Sequence, residues 1–371
     1  MRRGLLVLLL AGAVAAVWTA AGSGSGDKTS AATDKAAAGT SVTISNEQGQ
    51  TWTCGYNPFN ASLVDWSFGP IYESLVFVDV LKSGAATPWL ASKYAWSNHN
   101  KTVTFTMRPG VKWSDGQPLT SDDVLFTYNL IFAPEYAAVA SPRRGDFTQH
   151  VANISAPDPY TFVVKTQTPY APFLVTHGQY GIMPKHVLGS LAPAAINTAD
   201  FNSAPMVTNG AFKFVRWDKG AQVVFTRNPN YYRGAPLLDQ FVYKVVPNTT
   251  AVANQLKTGE IDAGQLDPSQ VDSMRTEQSI GITGFAVPGF QFYMQNLDPS
   301  KPTGQIFQDL AVRQALYTAI NRDGIVKTVL FGQGQVANSV EPPTSWAWNP
   351  NAKPVYKYDP SKANQMLDQA G

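Results

Sequence analysis

Residues 102–134 set the tightest limit on what this chain can fold into. Val103, Phe105 and Met107 alternate with Thr102, Thr104 and Thr106, so the segment reads as a strand with one buried and one solvated face. Pro109-Gly110 and then Asp115-Gly116 turn the chain. Thr120 caps a helix, with Asp123 in capping-box position, an apolar side of Val124, Tyr128 and Ile131, and Pro134 as its stop. The adjacent acids Asp122 and Asp123 invite a catalytic reading, but acids in a first helical turn complement the helix dipole, and that structural reading is the better one.

Similar signals continue on both sides. Val42 and Ile44 begin a short strand, Cys54-Gly55-Tyr56-Asn57-Pro58-Phe59-Asn60 reads as a loop, and residues 71–80 form an apolar, regular stretch. Phe212 and Phe214 share one face of a strand, Asp218-Lys219-Gly220 makes a hairpin turn, and residues 222–226 return. A strand over 241–246 precedes a helix capped by Thr249 or Thr250, which runs to Lys257 with Gly259 in the left-handed position after it. Helices follow over 311–320 and 322–330. The last helix has Asp359 as cap, Pro360 at its first position and Gly371 past its end. Strands and helices mix without a fixed period, which gives an α/β or α+β class; at roughly 100–200 residues per domain, 371 residues make two or three domains.

The N-terminus carries an address. Arg2 and Arg3 precede an apolar run over 5–17, and Thr19-Ala20-Ala21 follows, the charged-apolar-small order of a secretory signal over residues 1–21. The run is short of the roughly 20 residues that cross a bilayer. Residues 22–40, rich in Gly, Ser, Ala and Thr, read as a flexible tether. Charged residues make up 15% of the sequence, against about 25% in an average soluble protein, and uncharged polar residues take their place, as fits export. A net charge of +2 offers no basic field for nucleic acid. The single cysteine, Cys54, excludes an internal disulfide and a Cys-rich zinc site.

Enzyme signatures are missing. The histidines His99, His150, His177 and His186 are dispersed and form no HExxH pair, and there is neither a Walker loop nor a GxSxG elbow. Gly332-Gln-Gly334 lacks the third glycine of a dinucleotide fingerprint. What the sequence does hold is aromatic and amide side chains in loops. Trp52, Trp66, Trp89, Trp346 and Trp348 lie outside the clear periodic segments. Broad aromatic faces with amide hydrogen bonds suit polar, extended ligands such as peptides or sugars, although a single Trp more often packs than binds.

Three segments carry a more specific signal. The first is Phe105-Thr-Met-Arg-Pro-Gly-Val-Lys-Trp-Ser-Asp-Gly-Gln-Pro-Leu-Thr-Ser-Asp-Asp-Val124. The second is Asn209-Gly-Ala-Phe212, then Arg227-Asn-Pro-Asn-Tyr-Tyr232, then Gly259-Glu-Ile-Asp262. The third is Val312-Arg-Gln-Ala-Leu316 with Ala319-Ile-Asn-Arg-Asp323, continuing to Tyr358-Asp-Pro-Ser-Lys-Ala363. In this order they resemble the family-5 extracellular solute-binding proteins of ABC transporters, the oligopeptide and dipeptide receptors, over nearly the whole sequence beyond the leader.

The resemblance implies an α/β periplasmic-binding-protein class II fold of two lobes plus an inserted extra domain. Residues 41–77 and 184–288 would form lobe I, residues 78–183 the inserted domain, and residues 289–371 lobe II. In this family lobe II continues well past the last helix, so it is expected to be incomplete here, with the sequence truncated at its C-terminal end. The resemblance also implies ligand capture in an interlobe cleft without catalysis or cofactor, as a monomer that delivers its ligand to ABC permease subunits in the membrane. Carried over by position, the loop after Glu260-Ile-Asp262 nominates Gln265 and Asp267, and a strand before Asn296 nominates Phe290, Phe292 and Met294. Trp66 and Tyr136 are further candidates. Oligopeptides are the leading ligand class. The alternative, β-linked oligosaccharides such as cello-oligosaccharides, is suggested by the Asn57-Pro-Phe-Asn60 element and the abundant Trp. Gly22 and Ser23 stand where a lipobox would place its lipidated cysteine, so no lipid anchor is expected.

Overall fold

A computed structural model of the protein describes residues 5–7, 40–45, 69–79, 84–284, 289–343, 345, 347–353 and 356–371. The leader and tether therefore lie outside the described residues, apart from Thr40 and Leu5–Val7, which pairs in parallel with Ile280–Ile282. Cys54, Trp52, Trp66, Trp346 and the Asn57–Asn60 element lie outside them as well. The protein divides into two compact units. The first comprises Met1–Asp79, Ala85–Gln265 and Glu277–Thr283, and the second Val80–Gly84, Leu266–Thr276 and Gly284–Gly371.

Two four-stranded sheets organise the first unit. One runs in spatial order Ser41–Ser45, Gln240–Lys244, Gln222–Arg227, Phe212–Asp218. Its hairpin turns at Gly220, whose φ of 76° is open to glycine at little cost, and Ser41–Ser45 pairs in parallel with Gln240–Lys244. Phe212, Phe214, Phe225, Phe241 and Tyr243 are buried and pack ring against ring at 5.0–6.4 Å. The other sheet runs Ala91–Ser97, Thr102–Met107, Thr161–Thr166, Val151–Asp158, all antiparallel.

The threonine alternation behaves as expected. Val103, Phe105 and Met107 are buried and the intervening threonines half-buried. The helix Ser121–Phe132 packs on this sheet, with Val124, Tyr128 and Ile131 fully buried. Its N-terminus is a closed capping box, in which Asp123 accepts from the Thr120 amide at 3.0 Å. Asp123 does more than cap: it is buried and also accepts from the Lys185 amide at 3.1 Å, so it ties residues 184–185 to the helix. Burial pushes its carboxyl pKa up.

Residues 71–80 depart from expectation. Among the described residues 71–79, only Val76–Asp79 is a strand, paired with Ala85–Pro88, whereas residues 71–75 are irregular yet buried. Tertiary contacts replace a ladder there. Asn209 Oδ1 accepts from the Glu73 amide at 2.7 Å, and the Ile71 carbonyl accepts from the Asn209 and Gly210 amides at 3.1 and 2.8 Å. A Cβ at Gly210 would stand 2.6 Å from the Ile71 carbonyl carbon, which explains the glycine of the Asn209-Gly-Ala-Phe212 motif. A smaller departure concerns the helix Thr249–Thr258: its cap is Asn248, which accepts from the Ala251 amide at 2.8 Å, rather than either threonine. Gly259 closes it in the left-handed conformation, with φ of 74°.

The second unit is helical. Pro360–Ala370, capped by Asp359 with Pro360 in its first turn, packs on Leu310–Ala319 through the buried small residues Ala363 and Ala315. The Asp359 amide donates to the Thr318 carbonyl at 2.9 Å. Arg322, at the start of Arg322–Thr328, lies over the Tyr317 ring at 4.6 Å and donates to the Tyr356 carbonyl at 2.6 Å.

Candidate functional site

The sequence candidates fall in both units. Tyr136 and Gln265 belong to the first, and Asp267, Phe290, Phe292 and Met294 to the second, while Trp66 lies outside the described residues. Tyr136 ends the short 3-10 turn Pro134–Tyr136 that follows the Pro134 helix stop. Its ring meets Phe126 edge-on at 6.0 Å, and its carbonyl accepts from Arg144 at 2.7 Å. The same guanidinium reaches the carbonyls of Leu130, Ile131 and Val139 at 2.8, 3.2 and 3.1 Å, so a single arginine closes the helix end and fixes the turn that carries Tyr136.

Gln265 is exposed. Asp267 is exposed too, and it caps Pro268–Gln270 in a capping box with Gln270. Its Oδ1 accepts from the Ser269 amide at 2.9 Å and from the Ser269 hydroxyl at 2.5 Å, which holds the carboxyl pKa below its usual value. The carboxylate therefore has a structural occupation besides any ligand.

Phe290, Phe292 and Met294 do not form the expected strand. Residues 289–298 are irregular and pair with no strand among the described residues, and a strand needs such a backbone partner. The side chains stand out from the surface, Phe292 at 64% and Met294 at 76% exposure. The Phe290 and Phe292 rings lie 5.4 Å apart, inclined at 51°, and form one aromatic patch. Such a patch can offer a face to an apolar or planar ligand group.

Two buried polar clusters in the first unit escaped the sequence reading. Glu73 is 3% exposed, and both carboxylate oxygens are engaged, one by the Tyr231 hydroxyl and the other by the Tyr232 hydroxyl at 2.5 Å. Arg108 lies over the Tyr232 ring at 5.8 Å, and Arg233 over Trp89 at the same distance; Trp89 in turn stacks on Phe77. An acid inside an apolar run was the one available sign of this cluster. In the second, His177 is 1% exposed, with Nδ1 2.6 Å from the Tyr180 hydroxyl and Nε2 3.0 Å from Asp146 Oδ2. The Tyr128 hydroxyl donates to its carbonyl at 2.6 Å. Burial pushes the imidazole pKa down to about 4, against the smaller upward pull of Asp146. Among the described residues no group of three or more His, Cys, Asp or Glu side chains is placed to hold a metal ion, and no helix is long and apolar enough to cross a membrane.

Comparison with known proteins fits this architecture. An oligopeptide-binding protein of Bacillus subtilis, AppA, is 31% identical over 267 residues, covering 71% of this chain and 48% of AppA. The structure of that protein in complex with a nonapeptide superposes with a TM-score of 0.77 at 26% identity, covering 90% of this chain and 64% of that one. NikZ from Campylobacter jejuni, in complex with Ni(L-His), gives a TM-score of 0.75 at 28% identity, covering 89% of this chain and 63% of NikZ. The sequence spans about half the length of the first relatives it matches. These likenesses bear out the α/β periplasmic-binding-protein class II fold expected from the motifs. Residues 85–371 match the bacterial extracellular solute-binding proteins, family 5 Middle, and the protein belongs to that family.

Proposed function

We propose that the protein captures oligopeptides outside the cytoplasm and hands them to the permease subunits of an ABC importer. The observation that carries this reading is the 31% identity to the oligopeptide-binding protein AppA, joined to the fold shared with its nonapeptide complex. The family consists of solute-binding proteins, and on this reading the protein performs no chemistry on its ligand and uses no cofactor. Aromatic faces at Phe290, Phe292 and Tyr136, with Gln265, Asp267, Met294 and Trp66, would meet the peptide. Residues 41–77 with 184–288, 78–183, and 289–371 would serve as lobe I, inserted domain and lobe II. Export with removal of the leader near Ala21, no lipid at the new N-terminus, and action as a monomer complete the proposal.

NikZ shows that a protein of this fold and similar identity is found with a different kind of ligand, so ligand class is the point to test. A thermal-shift screen of the protein completed to the length of its relatives, against an oligopeptide pool and a cello-oligosaccharide pool, separates the readings. A ligand that binds only the native state stabilises it by about 2.7 kcal/mol at 100 times its dissociation constant. A rise in Tm with peptides is expected. A rise with oligosaccharides alone would replace peptides by sugars, and no rise with either would leave family membership standing and peptide capture without support.

A further inference from the structure

Glu73 sits where three parts of the first unit meet. It belongs to the irregular buried segment 71–75, whose backbone is held by Asn209 and by the Ile182 amide, which donates to the Glu73 carbonyl at 3.0 Å. Its side chain receives both hydroxyls of the Tyr231-Tyr232 pair, carried on the loop after the strand Gln222–Arg227. Arg108, just past the strand Thr102–Met107, lies over Tyr232 and donates to the Trp89 carbonyl at 2.6 Å. The titratable and charged groups facing the carboxyl are therefore Tyr231, Tyr232, Arg233 and Arg108. No single one of these forms a close ion pair with it, so desolvation is opposed by the Tyr232 hydrogen bond and by the more distant charges of Arg233 and Arg108.

We propose that Glu73 is a proton-linked latch that ties the Tyr231-Tyr232-Arg233 loop to the segment 71–75 through its two phenol contacts. In the carboxylate form both oxygens accept, and each phenol donates. When one oxygen takes a proton from solvent, that oxygen becomes a donor. The phenol facing it must then turn its own hydrogen away and accept, so one of the two loop contacts is reversed. The two guanidiniums lose their nearby negative charge in the same step. Burial pushes the Glu73 carboxyl up to about 7 from 4.5, against the pull of the Tyr232 hydrogen bond and of Arg233 and Arg108.

The sign of the linkage follows. The folded state holds a proton that the unfolded state releases above 4.5, so Glu73's contribution to stability is full below that value and is lost as pH rises toward about 7. The test compares wild type with Glu73→Gln, a neutral isostere, by urea unfolding at several pH values between about 4 and 8. The unfolding constant of wild type relative to the variant is expected to rise roughly 300-fold across that range. A ratio constant with pH would overturn the proposal. Should Glu73→Gln fail to fold, the carboxyl is followed directly in wild type and in Tyr231→Phe by carbon-13 NMR of labelled glutamate. Expected are a midpoint near neutrality in wild type and a higher one in Tyr231→Phe, which has lost a donor to the ionised form. A midpoint at the ordinary carboxylate value, or one that Tyr231→Phe leaves unmoved, would refute the latch.

Discussion

Replacing Arg144 by methionine removes one guanidinium and its bonds to four carbonyls, of which only that of Tyr136 keeps another donor, the Val139 amide at 2.9 Å. The Arg144 guanidinium bonds the carbonyls of Leu130, Ile131, Tyr136 and Val139 at 2.7–3.2 Å. Leu130 and Ile131 lie in the last turn of Ser121–Phe132, where carbonyls have no partner within the helix and a cation is favourable. A hydrogen bond to a charged group contributes about 1.5–3 kcal/mol, and methionine keeps most of the aliphatic packing. Water can reach some of the freed carbonyls, so the four bonds do not add in full, and we expect a loss of about 3–5 kcal/mol. Set against a typical total of about 5–15 kcal/mol, that is a severe lesion. Urea unfolding followed by circular dichroism reads it as a lower midpoint at unchanged slope. Arg144→Lys should recover only part of the loss, since a point charge cannot span the fan of carbonyls that the planar fork reaches. If Arg144→Met unfolded within about 0.5 kcal/mol of wild type, the view that this arginine organises the Tyr136 turn would be wrong.

Other outcomes follow from the same structure. The His177 imidazole, pushed down to about 4, stays neutral when folded while the unfolded state titrates at 6.5. Its contribution to stability is therefore complete above 6.5 and fades as pH falls toward 4, by up to about 3 kcal/mol. Equilibrium unfolding of His177→Phe should show that slope removed, and an unaltered slope would exclude His177 as its source. Phe292→Ala should leave Tm near wild type, because the side chain is 64% exposed, yet weaken peptide binding by about tenfold; unchanged affinity in calorimetry would take it out of the site. Mass spectrometry of secreted protein should find a new N-terminus near Ala21 without lipid mass, and an intact Met1 would refute leader removal.

Legibility in the sequence followed the range of the interactions. The alternation in Thr102–Met107 and the caps at Thr120 and Asp359 were readable because neighbouring residues carry them. Asn248 displaced the expected threonine caps by one or two positions, a near-degenerate choice among adjacent cap formers. Residues 71–75 misled, since burial there comes from Asn209 and Gly210, far along the sequence. Glu73 was still less accessible: its phenol partners lie 158 and 159 residues away, and periodicity says nothing about such distances. Of the candidate site, Phe290 and Phe292 were placed by family position and do sit at the surface, but the strand expected there has no ladder. Asp267 shows the opposite ambiguity, because the residue nominated for a ligand is also a helix cap.

The most direct test of the central claim is isothermal titration calorimetry of the protein carried to the full length of its relatives, of which this sequence spans about half, with one defined oligopeptide and, separately, with a cello-oligosaccharide of similar length. Saturable binding of the peptide at one site per molecule, with little or no heat from the sugar, is the result that peptide capture requires. Saturable heat from the sugar alone, or from neither ligand, would contradict it.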